Sequence, residues 1–154
     1  MSAKETTVER QVRIDAPVAT VWKALNVRGL STLHLLREEG TTPLKEGGRL
    51  EWHGLEDPAD MAPRIKGHVT VLAPERRIAY MAFSPATGLA DIPENYTSVD
   101  INFQEEEDGR TLITVVHGDF AEYPHGHRLA KQAGDSWVEA LVRLKSWVEL
   151  EQAA

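Results

Sequence analysis

Seven apolar positions near the end of the chain, Leu129, Ala133, Trp137, Ala140, Leu141, Leu144 and Val148, are separated by steps of 4, 4, 3, 1, 3 and 4. That spacing marks one face of a long helix and predicts a helix over Gly126–Glu151. Upstream the period drops to two. Val8–Ile14 alternates with Val8, Arg10, Val12 and Ile14 on one side. Arg49–Gly54 aligns Leu50 with Trp52, and Ile65–Leu72 aligns Ile65, Gly67, Val69 and Val71. Arg77–Phe83 aligns Ile78, Tyr80 and Ala82, and Tyr96–Phe103 aligns Val99, Ile101 and Phe103. Each run predicts a strand with one buried face. In the last run, Arg110–His117, Leu112, Thr114 and Val116 alternate as well as Ile113, Val115 and His117 do, so its facing stays open.

Helical spacing also follows the first strand. Asp15 offers an N-cap, Pro17 suits a first helical turn, and Val18, Val21, Trp22 and Leu25 share a face up to about Asn26. A second short helix or an irregular turn is expected over Gly29–Leu36. Turn signals separate the strands at Glu46-Gly47-Gly48, Ala73–Arg76 and Glu105–Gly109. Residues 55–64 read as a loop. Ser84–Asn95 is long for a hairpin connection, and long loops in compact domains are often functional. Every connection between neighbouring strands is a hairpin or short loop, which makes the sheet antiparallel. A single apolar-faced helix at the end of a β-rich chain has to lie across that sheet to bury its face. The expected fold class is α+β: a curved antiparallel sheet of about six strands wrapped around a long C-terminal helix, with two short helices after the first strand. Residues 1–154 form one domain with a core over about 8–150.

Composition narrows the function. The chain has 154 residues, 42% of them hydrophobic, which suffices for one real core. It contains no cysteine, so disulfides, thiolate zinc sites and cysteine nucleophiles are out, and a cytoplasmic location fits. The formal net charge is −7 and the basic residues are scattered, so no nucleic-acid partner is expected. No run is long and apolar enough for a membrane span. Phosphate-binding glycine motifs and a G-x-S-x-G elbow are missing too. His125-Gly126-His127 with Glu122 nearby invites a metal, but spacing places no third ligand, and the expectation is no metal and no cofactor.

The segments APVATVWKAL, EGGRLEW, GHVTVLAPERRIAY, ENYTSVDINF and GDSWVEALVRLKSWVE, in that order, resemble the START/birch-pollen-allergen-like superfamily (SRPBCC) from about Val8 to Glu149. Within it they are most similar to the bacterial branch named after activators of the heat-shock protein 90 ATPase. The resemblance implies a helix-grip fold with an internal hydrophobic cavity. It does not imply one function, since the superfamily includes lipid carriers, receptors, cyclases, oxygenase domains and a co-chaperone domain. Many bacterial members carry a tryptophan near the cavity mouth, where this chain has Leu33-His34-Leu35-Leu36.

The residues expected to face a ligand are Trp52, Val69, Tyr80, Ile101, His117, Ala133, Trp137 and Leu141. Trp52 and Trp137 serve equally well as plain core. Tyr80 carries a hydroxyl that needs a partner when buried. His117 is either a polar group at the end of the cavity or a strand-end histidine bonded to nearby backbone. Ala130, Ala133 and Gly134 are small, so a pocket is expected toward the N-terminal half of the last helix and solid core toward its C-terminal half. The favoured reading is an intracellular protein that binds a small apolar, aromatic or lipid-like molecule and has no catalytic residue. The alternatives are a cyclase or dehydratase that moves a proton through Tyr80 or His117, and a co-chaperone-like interaction protein. A homodimer is compatible with all three; a chaperone partner has no extra domain or tail to support it.

Overall fold

The computed structural model describes residues 6–28, 36–38, 46–54 and 65–153. Seven strands form one antiparallel sheet: β1 (Val8–Ile14), β2 (Leu36–Glu38), β3 (Arg49–Gly54), β4 (Ile65–Ala73), β5 (Arg77–Phe83), β6 (Thr97–Glu105) and β7 (Thr111–Gly118). Their spatial order is β1-β7-β6-β5-β4-β3-β2. Only the first strand leaves chain order, pairing with the last as the α+β frame closes. The short edge strand β2 is additional to the six expected. It starts at Leu36, where the sequence suggested the end of a second helix; the rest of that expected helix lies outside the described residues.

Helix α1 (Val18–Arg28) buries Val21, Ala24 and Leu25, and Trp22 meets Phe103 of β6 edge-on with centroids 5.4 Å apart. Its first turn is capped differently from expectation. The Pro17 carbonyl accepts from Thr20 and Val21, and Glu105 Oε1 accepts from the Val18 N–H at 2.9 Å. Asp15 instead donates its backbone N–H to Glu149 at 2.8 Å, which ties the end of β1 to the last helix.

Helix α2 (Gly126–Ala153, 28 residues) crosses the sheet and packs mainly against β1. It buries Ala130, Trp137, Ala140, Leu141, Leu144 and Val148, the face that the spacing marks. The inward rows of the sheet are read from the pairing. Val8, His117, Val99, Tyr80 and Val69 stand side by side across five strands, and Arg10, Val115, Ile101, Ile78 and Leu72 form the next row. This settles the facing of β7: Ile113, Val115 and His117 point toward the helix. A register shift between Val69 and Val71 puts Leu72, not Val71, opposite Ile78 and against the core. A bulge of this kind breaks a period-two pattern without changing composition, so alternation alone could not reveal it.

Two glycines fix how α2 enters and lies. A Cβ on Gly126 would stand 2.1 Å from the Phe120 carbonyl oxygen, so only glycine lets the helix start this close to the preceding turn. A Cβ on Gly134 would stand 2.4 Å from a guanidinium nitrogen of Arg10. The space beside Gly134 is therefore filled by the Arg10 head group, which corrects the expectation that this glycine leaves room for a ligand. Alanine carries about 1 kcal/mol more helix propensity than glycine. Gly134→Ala is expected to show that full gain in urea unfolding only in an Arg10→Ala background, and less in the wild type, where the guanidinium has to move.

Candidate functional site

The polar centre of the interior is His117, carried to the helix-facing side by the end of β7. The Trp137 indole N–H of α2 donates to His117 Nδ1 at 3.1 Å, and His117 Nε2 lies 2.9 Å from Thr97 Oγ1 at the start of β6. Indole is a donor only. Nδ1 must therefore be an acceptor, and in the neutral ring the proton sits on Nε2 and is given to Thr97. Thr97 in turn donates to the Ala82 carbonyl at 3.3 Å. Every proton in this chain has one acceptor, and it joins α2 to β7, β6 and β5. Burial pulls the His117 pKa down to about 4, so the ring is neutral near pH 7, as the geometry requires. Phe120 (centroid 5.1 Å) and Trp137 (6.4 Å) flank the ring.

Tyr80 lies two positions along the same cross-strand row and is fully buried. Burial alone pushes its phenol pKa well above the ordinary value, so it is protonated near pH 7. Val69, Ile101, Trp137 and Leu141 are likewise buried, and Ala133 packs against the same core at its edge. The structure thus gathers six of the eight expected ligand-facing residues, Tyr80, Ile101, His117, Ala133, Trp137 and Leu141, around the core that α2 covers, while Val69 is buried on the same cross-strand row outside that cluster. The eighth, Trp52, stands on β3, with its side chain outside the described ones. The Leu33-His34-Leu35-Leu36 stretch, expected near a cavity mouth, is also outside the described side chains.

A cleft of about 330 Å³ opens between the β5–β6 connection and the first turns of α2. Thr87 and Leu89 line one side; Pro124, His125, Arg128, Leu129 and Gln132 line the other. Local chemistry holds both walls. The connection is ordered by two 3₁₀ turns, Pro85–Thr87 and Pro93–Asn95, the first closed by Gly88 in the left-handed region. Thr87 Oγ1 donates to the Ser84 carbonyl (2.9 Å) and accepts from the Leu89 N–H (3.3 Å). Farther on, the Tyr96 hydroxyl donates to Asp91 at 2.7 Å, and Lys66 pairs with the same carboxylate. These partners hold the Asp91 carboxyl below the usual carboxylate range and raise the Tyr96 phenol. On the helix side, Arg128, Leu129 and Gln132 share one face of α2, and His125 stands just before the helix with its backbone in the left-handed region.

The cleft lies at the N-terminal half of α2, the end where a pocket was expected, while Trp137, Leu141, Leu144 and Val148 are packed solid. Its lining residues were not among those expected. The length of Ser84–Asn95 was the signal available for Thr87 and Leu89. For Thr97, its place two before Val99 on an inward face was the only clue. No three histidine, aspartate or glutamate side chains gather into a metal cage among the described residues, and no described helix is long and apolar enough to cross a membrane.

The Activator of Hsp90 ATPase homolog 1-like family matches residues 15–149. This chain belongs to that family. Solved structures share the fold. Protein ChR145 from Cytophaga hutchinsonii is 26% identical over 96% of this chain and 97% of its own, with a TM-score of 0.70. The Aha1 dimer from Colwellia psychrerythraea is 16% identical over 93% of this chain and 96% of its own, with a TM-score of 0.67. DynU16, a protein of the dynemicin biosynthetic locus, is 16% identical with a TM-score of 0.67; the match covers 94% of this chain but only 47% of DynU16. At such identities the last two establish the shared fold alone. No curated protein matches the chain. Within the Activator of Hsp90 ATPase homolog 1-like family, the helix-grip frame seen here is therefore expected, and the cleft and the Trp137–His117–Thr97 chain are described from this member's own residues.

Proposed function

We propose that this protein binds a small, mainly apolar or aromatic molecule at the N-terminal end of α2. The observation that carries the reading is the cleft of about 330 Å³, with Leu89, Pro124 and Leu129 as apolar wall, Arg128 and Gln132 on one helix face and His125 just before the helix. Ligand sites are usually concave, mostly apolar and supplied with few polar groups, from about 300 Å³ upward. The interior set, Trp52, Val69, Tyr80, Ile101, His117, Ala133, Trp137 and Leu141, is proposed as the inner contact surface for a larger ligand whose entry parts the packed layer between sheet and helix. The place of DynU16 in a biosynthetic locus lends weight to small-molecule handling and raises a cyclase-type reading. Against catalysis through His117 stands its bonding, since both ring nitrogens are already engaged. We extend the dimeric state of the Colwellia protein, and a cytoplasmic location, to this chain on the same footing.

A thermal-shift screen of aromatic and aliphatic small molecules tests the reading. A ligand at a hundredfold excess over its Kd stabilises the fold by about 2.7 kcal/mol, which for a chain of this length raises Tm by several degrees. The expected result is such a shift with at least one chemical class; a flat response throughout contradicts the reading.

A further inference from the structure

We propose that the cleft selects ligands that carry a carboxylate, with Arg128 as the anion-binding group. This rests on the reading of the cleft as a small-molecule site and adds its ligand class. The lining contains one permanent charge, Arg128, and no aspartate or glutamate. Arg128 is exposed and, among the described residues, makes no ion pair or hydrogen bond with another side chain. Several other surface cations are paired: Arg13 with Glu106, Arg77 with Asp100, Arg110 with Asp108, and Lys131, on the next helical position but one from Leu129, with Asp135; Lys23 and Arg76 are exposed without such a pair, but neither lines the cleft. A chain with a formal net charge of −7 repels anions in general, so an acid-free recess holding one uncompensated guanidinium is a local exception.

The neighbours of Arg128 complete the fit. Gln132 lies one turn further along the same face and brings an amide N–H₂ donor; His125 stands just before the helix. The Thr87 hydroxyl already donates to Ser84, so it offers the ligand no proton. A guanidinium presents parallel N–H donors that match the two oxygens of a carboxylate. A single cation neutralises a monoanion but leaves a dianionic phosphate half compensated, which favours the carboxylate. Leu89, Pro124 and Leu129 then take the apolar body. The ligand class is a small amphipathic acid: one carboxylate on an aromatic or short aliphatic frame that fits about 330 Å³.

The test is isothermal titration of the full chain with 1-naphthaleneacetate and with its neutral counterpart 1-naphthaleneethanol, at low and at 0.5 M salt. The wild type is expected to bind the acid about tenfold or more tightly than the alcohol, a preference that shrinks with salt. Arg128→Gln is expected to bring the acid-to-alcohol affinity ratio to about one, and Arg128→Lys to keep part of the preference. Equal affinities in the wild type, or an acid preference that survives Arg128→Gln, overturn the anion assignment and leave the small-molecule site standing. If neither compound binds at millimolar concentration, the assignment and the reading of the site beneath it both fail. A urea unfolding curve for each variant shows that the fold is intact; Arg128 is exposed and lacks a side-chain partner, so no loss is expected.

Discussion

Replacing Trp137 with alanine is expected to destabilise the protein by about 3–5 kcal/mol, the cost of deleting a large buried ring and leaving its cavity. Trp137 is 3% exposed and sits at the centre of the face that α2 lays on the sheet. The alanine variant also strips His117 Nδ1 of its donor. Trp137→Phe separates the two effects. It keeps most of the buried area but removes the indole N–H and a small part of the ring, so its cost should be lower, near the range of about 1–3 kcal/mol for an unsatisfied buried polar group. Urea unfolding followed by circular dichroism measures both, with the midpoint moving and the slope unchanged. Equal losses for the two variants would mean that the bond to His117, and not ring packing, dominates.

Stability is expected to fall as pH drops from about 6.5 toward 4, and His117 is the reason. Its folded pKa is depressed to about 4 by burial, against about 6.5 for an unfolded histidine. Between those values the unfolded chain binds a proton that the native state does not, so unfolding becomes easier as pH falls. The contribution is fully present above about 6.5 and lost through the folded pKa. A shift of that size corresponds to about 3 kcal/mol. Several carboxyls are also depressed by their partners, Glu106 by Arg13, Asp108 by Arg110 and Glu149 by Lys145. Those exposed pairs act below the ordinary carboxylate range, so the upper window belongs to the histidine. Unfolding free energy measured at pH 7 and pH 5 checks this, with His117→Gln expected to flatten the slope. A His117→Gln variant as pH-sensitive as the wild type in that window would contradict the assignment.

The fold was legible wherever one period held over a whole element. The apolar steps from Leu129 to Val148 marked both the helix and its buried face, and the alternation in β1, β5 and β6 marked their inward rows. Legibility failed where a local event reset the pattern. The bulge after Val69 exchanged Val71 for Leu72, and β7 carried two equally apolar faces until its pairing with β1 and β6 chose one. Asp15 has the chemistry of a cap, yet a glutamate from β6 closes α1, and long-range partners of that kind leave no mark in local sequence. The site was legible only as a region. Tyr80, His117 and Trp137 could be grouped by facing, but the bond from Trp137 to His117 joins residues twenty apart through tertiary packing. Gly134 read as empty space because nothing in the sequence announces that Arg10 lies across it. The cleft itself unites a loop and a helix face forty residues apart, and no spacing rule connects Leu89 with Arg128.

On the proposed function, the N-terminal end of α2 and the β5–β6 connection together hold a small amphipathic molecule. Amide chemical-shift mapping of the labelled protein, titrated with 1-naphthaleneacetate, tests it most directly. The predicted result is saturable shifts concentrated at Thr87, Leu89, Arg128, Leu129 and Gln132. No shifts at millimolar ligand, or shifts confined to surfaces away from these residues, would contradict it.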